Sequence, residues 1–476
     1  MFSPALLRHM PIFVLAMLVV PAWTAEALAH ASNRGHVLLL PTRHYLMGGA
    51  IAVAASFLVL AVLPPEPFAR LMERRKLLLR LPFDGKLAAS TLSFLFFVAL
   101  VYAGLNGSRD PLANPLPLVV WTLLWVGLTL LHGLFGNLWA WLNPWYGPWR
   151  LLVRFAGIKE DGYLNLPQAI GYKPALLLFL CFAWFELVSI APDDPGILAV
   201  AAAAYWLLTF AGICLFGHEA WTTRMEFLTV FLRMIAQISP FSAKPYGNGN
   251  VIWLGWPGSK LVRAKPLPLS GVAFLLLVLS SVSFDGFMHT FTWLGLIGVN
   301  PLEFPGRSVV VLQNTIGLIA MFMLLAGLFF AAVWLGEKLV GSRDWRRAAG
   351  LLIWSIVPIA LAYHFSHYLT ALLVDGQYAI ASFSDPFFQG WNLFGTAIVH
   401  VQAGIVLGSD AAWYIWNVQA AAIVVGHVLA VAIAHLVAWR LHRSASKAAR
   451  SQIPMAILMI GYTVFGLWLL STPSIG

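Results

Sequence analysis

Four ionisable side chains, Glu186, His364, His367 and His427, fall inside long apolar runs of the chain. Such groups are expensive in hydrocarbon unless they face a protein interior or a polar cavity. A rise of ~1.5 Å per residue, counted from the basic end of each run, puts all four about 16 to 24 Å up, near or just above mid-depth. His364 and His367 are three residues apart and share one helix face. Three imidazoles and a carboxylate suit Zn²⁺ or another divalent metal, and a three-ligand version leaves a position for water or substrate. A metal-bound water with its pKa lowered to about 7 is a hydroxide nucleophile at neutral pH. The competing reading is metal-free: Glu186 pairs with one histidine, and the others bond backbone or tyrosine hydroxyls.

Two carboxylates at the outer mouth, Asp285 and Asp385, are candidate proton acceptors or partners that orient a histidine. His132, His435 and the His218-Glu219 pair fall nearer the opposite interface, where water and headgroups can satisfy them. His30, His36, His44 and His289 lie outside the apolar runs. A free amine at His30 with its imidazole would chelate Cu²⁺. Cys181 and Cys214 sit within apolar runs and read as small core residues. Gly247-Asn248-Gly249-Asn250 lacks the lysine and context of a phosphate loop and reads as a turn. No Gly-x-Ser-x-Gly elbow or His-Glu-x-x-His helix is present, which argues against a serine hydrolase or a zincin.

The elements that carry these residues follow from composition. Of 476 residues, 60% are hydrophobic and 10% charged, against roughly 25% charged in a soluble domain. That excludes a soluble enzyme, a coiled coil and a disordered tail. The expected fold is all-α, a polytopic transmembrane helical bundle of about ten spans after a cleavable signal peptide. The spans are expected at 45–63, 88–105, 116–135, 175–191, 197–216, 267–285, 309–335, 351–373, 411–439 and 453–470. Residues 1–29 carry a basic start, a short apolar stretch and Ala27-Leu28-Ala29, the pattern of a signal peptide, leaving a mature domain at 30–476. Of the 29 Lys and Arg residues, 24 lie in alternate connections. By the positive-inside rule those connections are cytoplasmic and both termini lie outside. The net charge of +10 thus reports topology and not nucleic-acid binding. Residues 219–238 are expected as an amphipathic segment on the inner surface. Residues 377–408, apolar but broken, are expected as a re-entrant or outer-surface element. Trp139, Trp141, Trp145 and Trp149 suggest an interfacial belt.

A set of short pieces, in order, carries a resemblance. They include Asn143-Pro144-Trp145, Glu186-Leu187-Val188, Ser283-Phe284-Asp285-Gly286 and Ala362-Tyr363-His364 running to His367-Tyr368. Ser384-Asp385-Pro386, Trp413-Tyr414 and Gly426-His427-Val428 continue the series. With these pieces the chain resembles the bacterial integral-membrane fenitrothion hydrolases, a membrane organophosphorus-hydrolase type. The resemblance implies hydrolysis of an aryl phosphotriester or phosphorothioate ester in a bacterial inner membrane. It also implies an apolar small-molecule substrate that partitions into the bilayer, and a possible second, unlike membrane subunit. It assigns no catalytic residues. Two other functional classes stay open: a metal or small-solute permease, and a structural or assembly subunit whose polar layer fixes helix packing.

Overall fold

The computed structural model describes residues 42–247, 249–304, 306–402 and 409–472. The expected signal peptide, His30, His36 and residues 403–408 of the expected re-entrant or outer-surface element lie outside the described residues. Ten helices are long and apolar enough to cross a membrane. They are α1 (Thr42–Val62), α2 (Lys86–Asn106), α3 (Pro115–Phe135), α4 (Gln168–Leu187), α5 (Pro195–Phe216), α6 (Leu269–Met288), α7 (Arg307–Leu339), α8 (Trp345–Ser384), α9 (Asp410–His442) and α10 (Ile453–Ser471). Each coincides with one of the ten apolar runs, and the chain is a multi-pass membrane protein. Caps mark the ends where the sequence changes. Asp194 opens α5 by accepting from the Ile197 amide at 2.9 Å, and Gly217 closes it with φ 85°.

The helices divide by burial. In α6 and α8, 83% of the most apolar stretch is buried, against 22% in α1 and α2. A helix apolar all round and buried all round belongs at a bundle centre. α8 packs on α9, on α6 and on α3, while α10 packs on α1 and α7. Close approaches need glycine. A Cβ at Gly426 of α9 would lie 2.5 Å from the Ala362 Cβ and 3.0 Å from the Pro358 carbonyl of α8. Within α3, Leu118–Leu128 is a π-helix, a form that is rare and concentrated at functional sites.

The connections hold structure that periodicity did not predict. Three short strands, β1 (Arg75–Leu81), β2 (Phe241–Tyr246) and β3 (Gly249–Gly255), form an antiparallel sheet in the order β1-β3-β2 at the Lys/Arg-rich end. Tyr246 pairs with Gly249 and Pro245 with Asn250, so Gly249 and Asn250 open β3 and Gly247 is a turn residue after β2, while Asn248 lies outside the described residues. Arg75 stacks on Trp253 and Arg80 on Tyr246, which covers part of a basic sheet with aromatic rings.

Three local expectations are corrected. Residues 219–238 form two short helices, His218–Arg224 and Phe227–Ile235, and the second is built into the bundle. Phe231 meets Trp125 and Phe179, because seven of its nine residues are apolar and buried and Glu226 caps its start. Trp139, Trp145 and Trp149 are buried and do not form a belt. Trp145 and Trp206 instead donate their ring N–H groups to the carbonyls of Trp206 and Pro144. Cys181 faces outward from α4, away from the core.

Candidate functional site

Three helices deliver the site. Glu186 is the penultimate residue of α4, Asp285 lies in the last turn of α6, and His367-Tyr368 sit midway along α8. α4 and α6 both end here, opposite the Lys/Arg-rich connections, so their C-terminal carbonyls face the same end of the bundle. Those carbonyls lack partners within their own helices. Arg307, the first residue of α7, donates to the Glu186 carbonyl at 2.9 Å and the Ser189 carbonyl at 3.4 Å.

The side chains form one connected hydrogen-bond chain. His367 Nε2 lies 2.7 Å from Asp285 Oδ2. The Tyr368 hydroxyl lies 2.8 Å from the same oxygen and 3.1 Å from Glu186 Oε1. One hydroxyl hydrogen cannot be donated to two carboxylates at once. Tyr368 therefore serves one carboxylate while accepting from, or releasing, the other. Asp285 is 6% exposed, and its backbone carbonyl accepts from His289 Nδ1 at 2.9 Å. Beyond the end of α4, burial raises the Asp193 carboxyl above the usual carboxylate range, and Arg307 opposes that shift.

With Nε2–H donated to Asp285, the lone pair of His367 resides on Nδ1. Nδ1 lies 3.8 Å from where a Cβ on Gly286 would stand. Gly286 and His367 both line a cavity of about 40 Å³, together with Val282, Tyr363, Ser366 and Gly466. That volume admits water and is far below the ~300 Å³ at which small-molecule sites begin.

The expected four-residue metal set does not converge. Glu186 and His367 join through Tyr368 and Asp285, whereas His364 and His427 are engaged elsewhere. His364 Nε2 bonds the Trp125 carbonyl at 2.9 Å, a carbonyl within the π-helical stretch of α3. His427 Nδ1 bonds the Ile423 carbonyl of its own helix at 2.8 Å, and its ring packs near Tyr363 and Tyr462. Among the described residues no group of three or more His, Cys, Asp or Glu side chains is arranged to hold a metal. Of the two carboxylates assigned to the outer mouth, Asp285 joins the site and Asp385 does not. α8 continues to Ser384, so Asp385 sits ~27 Å along from His367. There it caps the following turn, accepting from the Gln389 and Gly390 amides at 2.8 and 2.7 Å.

Of the lower polar groups, His132 and His218 are held by local contacts, whereas both ring nitrogens of His435 are buried without a hydrogen-bond partner among the described residues. His132 bonds the Leu128 carbonyl and accepts from the Trp139 amide. His218 stacks on Trp149 and meets Tyr146 edge-on, and its imidazole is held down to about 3 by burial and then by nearby Lys86. Sequence reasoning missed Tyr368 as the bridging residue, although it directly follows His367 and lies four residues after His364. It also missed Arg307, one of few cations in the poorly charged connections. Compared with family models, with curated proteins and with solved structures, the chain matches none.

Proposed function

We propose that the chain is a membrane-embedded hydrolase of an apolar ester, an aryl phosphotriester or phosphorothioate, with His367 as general base held by Asp285. The observation that carries this reading is the 2.7 Å Asp285–His367 bond, with Nδ1 beside a water-sized cavity. A carboxylate on one imidazole nitrogen sets the tautomer and steadies the imidazolium that forms when the other takes a proton. In the reaction, Nδ1 removes a proton from water as the water oxygen bonds phosphorus. The P–O–aryl bond then breaks, the aryloxide leaves with the electron pair, and the imidazolium returns the proton to it. The substrate class rests on the resemblance to membrane organophosphorus hydrolases. An ester of that size requires the cavity wall formed by Leu469 and Leu470 of α10 to move aside.

In this reading the Lys/Arg-rich connections face the cytoplasm of a bacterial inner membrane, both termini lie outside, and the site opens toward the outer leaflet. A second reading, a proton-coupled permease, is favoured by one observation: the cavity fits water and not an ester. Reconstituted protein assayed for aryloxide release from an aryl phosphotriester separates the two. Release that falls by ~10²–10⁴ in His367→Gln supports the hydrolase. No release, together with proton flux in sealed proteoliposomes that the same variant abolishes, supports the permease.

A further inference from the structure

We propose that a hollow at the basic end of α7 binds the phosphate of an anionic phospholipid headgroup. The hollow has a volume of about 450 Å³, and its lining includes Trp334, Glu337, Lys338, Ser342, Arg343 and Trp345. It is within the size range of small-molecule sites. It lies where α7 ends and α8 begins, at the level where a helix leaves hydrocarbon for headgroups.

Its charges are free for a ligand. Among the described residues neither Lys338 nor Arg343 makes a salt bridge. Lys338 Nζ is held 4.9 Å over the Trp334 ring, so an aromatic wall of the hollow positions that cation. Of the neighbouring carboxylates, Asp344 is engaged as a cap, while Glu337 keeps one buried oxygen without a hydrogen-bond partner among the described residues. Glu337 faces His442 at 3.1 Å in a buried pair, and Asp344 caps Trp345–Leu352 by accepting from the Arg347 amide. Arg450, from the short helix Ala445–Ser451, reaches the Leu339 carbonyl and adds a third cation nearby. Two cations against one buried carboxylate leave the lining net positive, which favours an anionic ligand.

A lipid source is indicated by the surface above the hollow. Leu324, Leu328, Leu335 and Leu339 are all exposed along one face of α7, spaced by four, seven and four residues. That stripe runs from mid-membrane to the hollow and offers an acyl chain a continuous apolar track into which the headgroup is anchored. Basic pockets between membrane helices on the cytoplasmic side take anionic headgroups by the same chemistry. A soluble phosphate ester would use the cations and leave the stripe unused.

Delipidated full-length protein in detergent, titrated with phosphatidylglycerol and followed by native mass spectrometry, tests this. Phosphatidylglycerol should bind in preference to phosphatidylcholine. Lys338→Ala with Arg343→Ala should weaken that binding about 30-fold, and Lys338→Arg with Arg343→Lys should restore most of it. Removing two cations from the same face outside the hollow, Arg154→Ala with Lys159→Ala, should leave it unchanged. Equal loss in both alanine pairs, or equal binding of phosphatidylcholine, would overturn the proposal. Displacement of the lipid by glycerol phosphate at equal concentration would overturn the lipid assignment and leave a soluble-phosphate site. Circular dichroism of each variant guards against loss of fold.

Discussion

At the scale of single residues, Tyr368 decides whether the site is one unit or two. Among the described residues its hydroxyl is the only side-chain hydrogen-bond link between Glu186 on α4 and Asp285 on α6. Tyr368→Phe leaves the Glu186 carboxyl without that partner in a poorly solvated site. Stability should fall by about 1–3 kcal/mol, the usual cost of orphaning a buried polar group, measured by thermal unfolding in detergent. A fall no larger than in a distant Tyr→Phe variant such as Tyr414→Phe would show that Glu186 finds a substitute partner. Polar type and depth were readable at this scale, because a Glu or His in an apolar run must be satisfied somewhere. Partner choice was not. Which carbonyl or carboxylate each ring meets depends on helix rotation, and the π-helical stretch of α3 presents the Trp125 carbonyl to His364 in a way that apolar periodicity cannot reveal.

At the scale of elements, the ten spans were legible because apolar length alone announces them. The sheet was not. β1 reads Arg-Lys-Leu-Leu-Leu-Arg-Leu, which has no two-residue alternation, and its burial is shallow on both faces. What holds α8 against α9 is the missing side chain at Gly426. Gly426→Leu should force the helices apart and cost about 1–3 kcal/mol or more, read as a lower unfolding temperature, while Gly327→Leu, with open space around it, should cost little. In the connection after β3, Lys260 donates to the Ala236 and Phe241 carbonyls at 2.8 and 2.6 Å. Burial, and secondarily Arg263, lowers its ammonium to about 8. A lysine lowered on folding binds fewer protons folded than unfolded between about 8 and its usual ~10.4. Its destabilising contribution is complete below pH 8 and relieved as pH rises through that window. Lys260→Met should remove this rise from the pH profile of stability; an unchanged profile would show that Lys260 stays hydrated.

At the scale of the whole molecule, α6 and α8 are the most buried spans, and they carry the Asp285–His367 pair. The most buried helices of the bundle therefore carry a connected polar network, as expected of a site that excludes lipid and admits water. The sidedness proposed here is checked by cysteine labelling with an impermeant reagent in intact cells. Residues of the 385–402 stretch should label, and residues of β1 should label only after permeabilisation; the reverse pattern would invert the topology. The central claim is that Asp285 and His367 act together as one base. A double-mutant cycle on aryl phosphotriester turnover tests it most directly, with Asp285→Asn, His367→Gln and the pair measured in the same reconstituted preparation. Residues that act as a unit are strongly non-additive. The double variant should be no slower than the slower single variant. Losses that multiply, or wild-type protein that releases no aryloxide, would contradict the account.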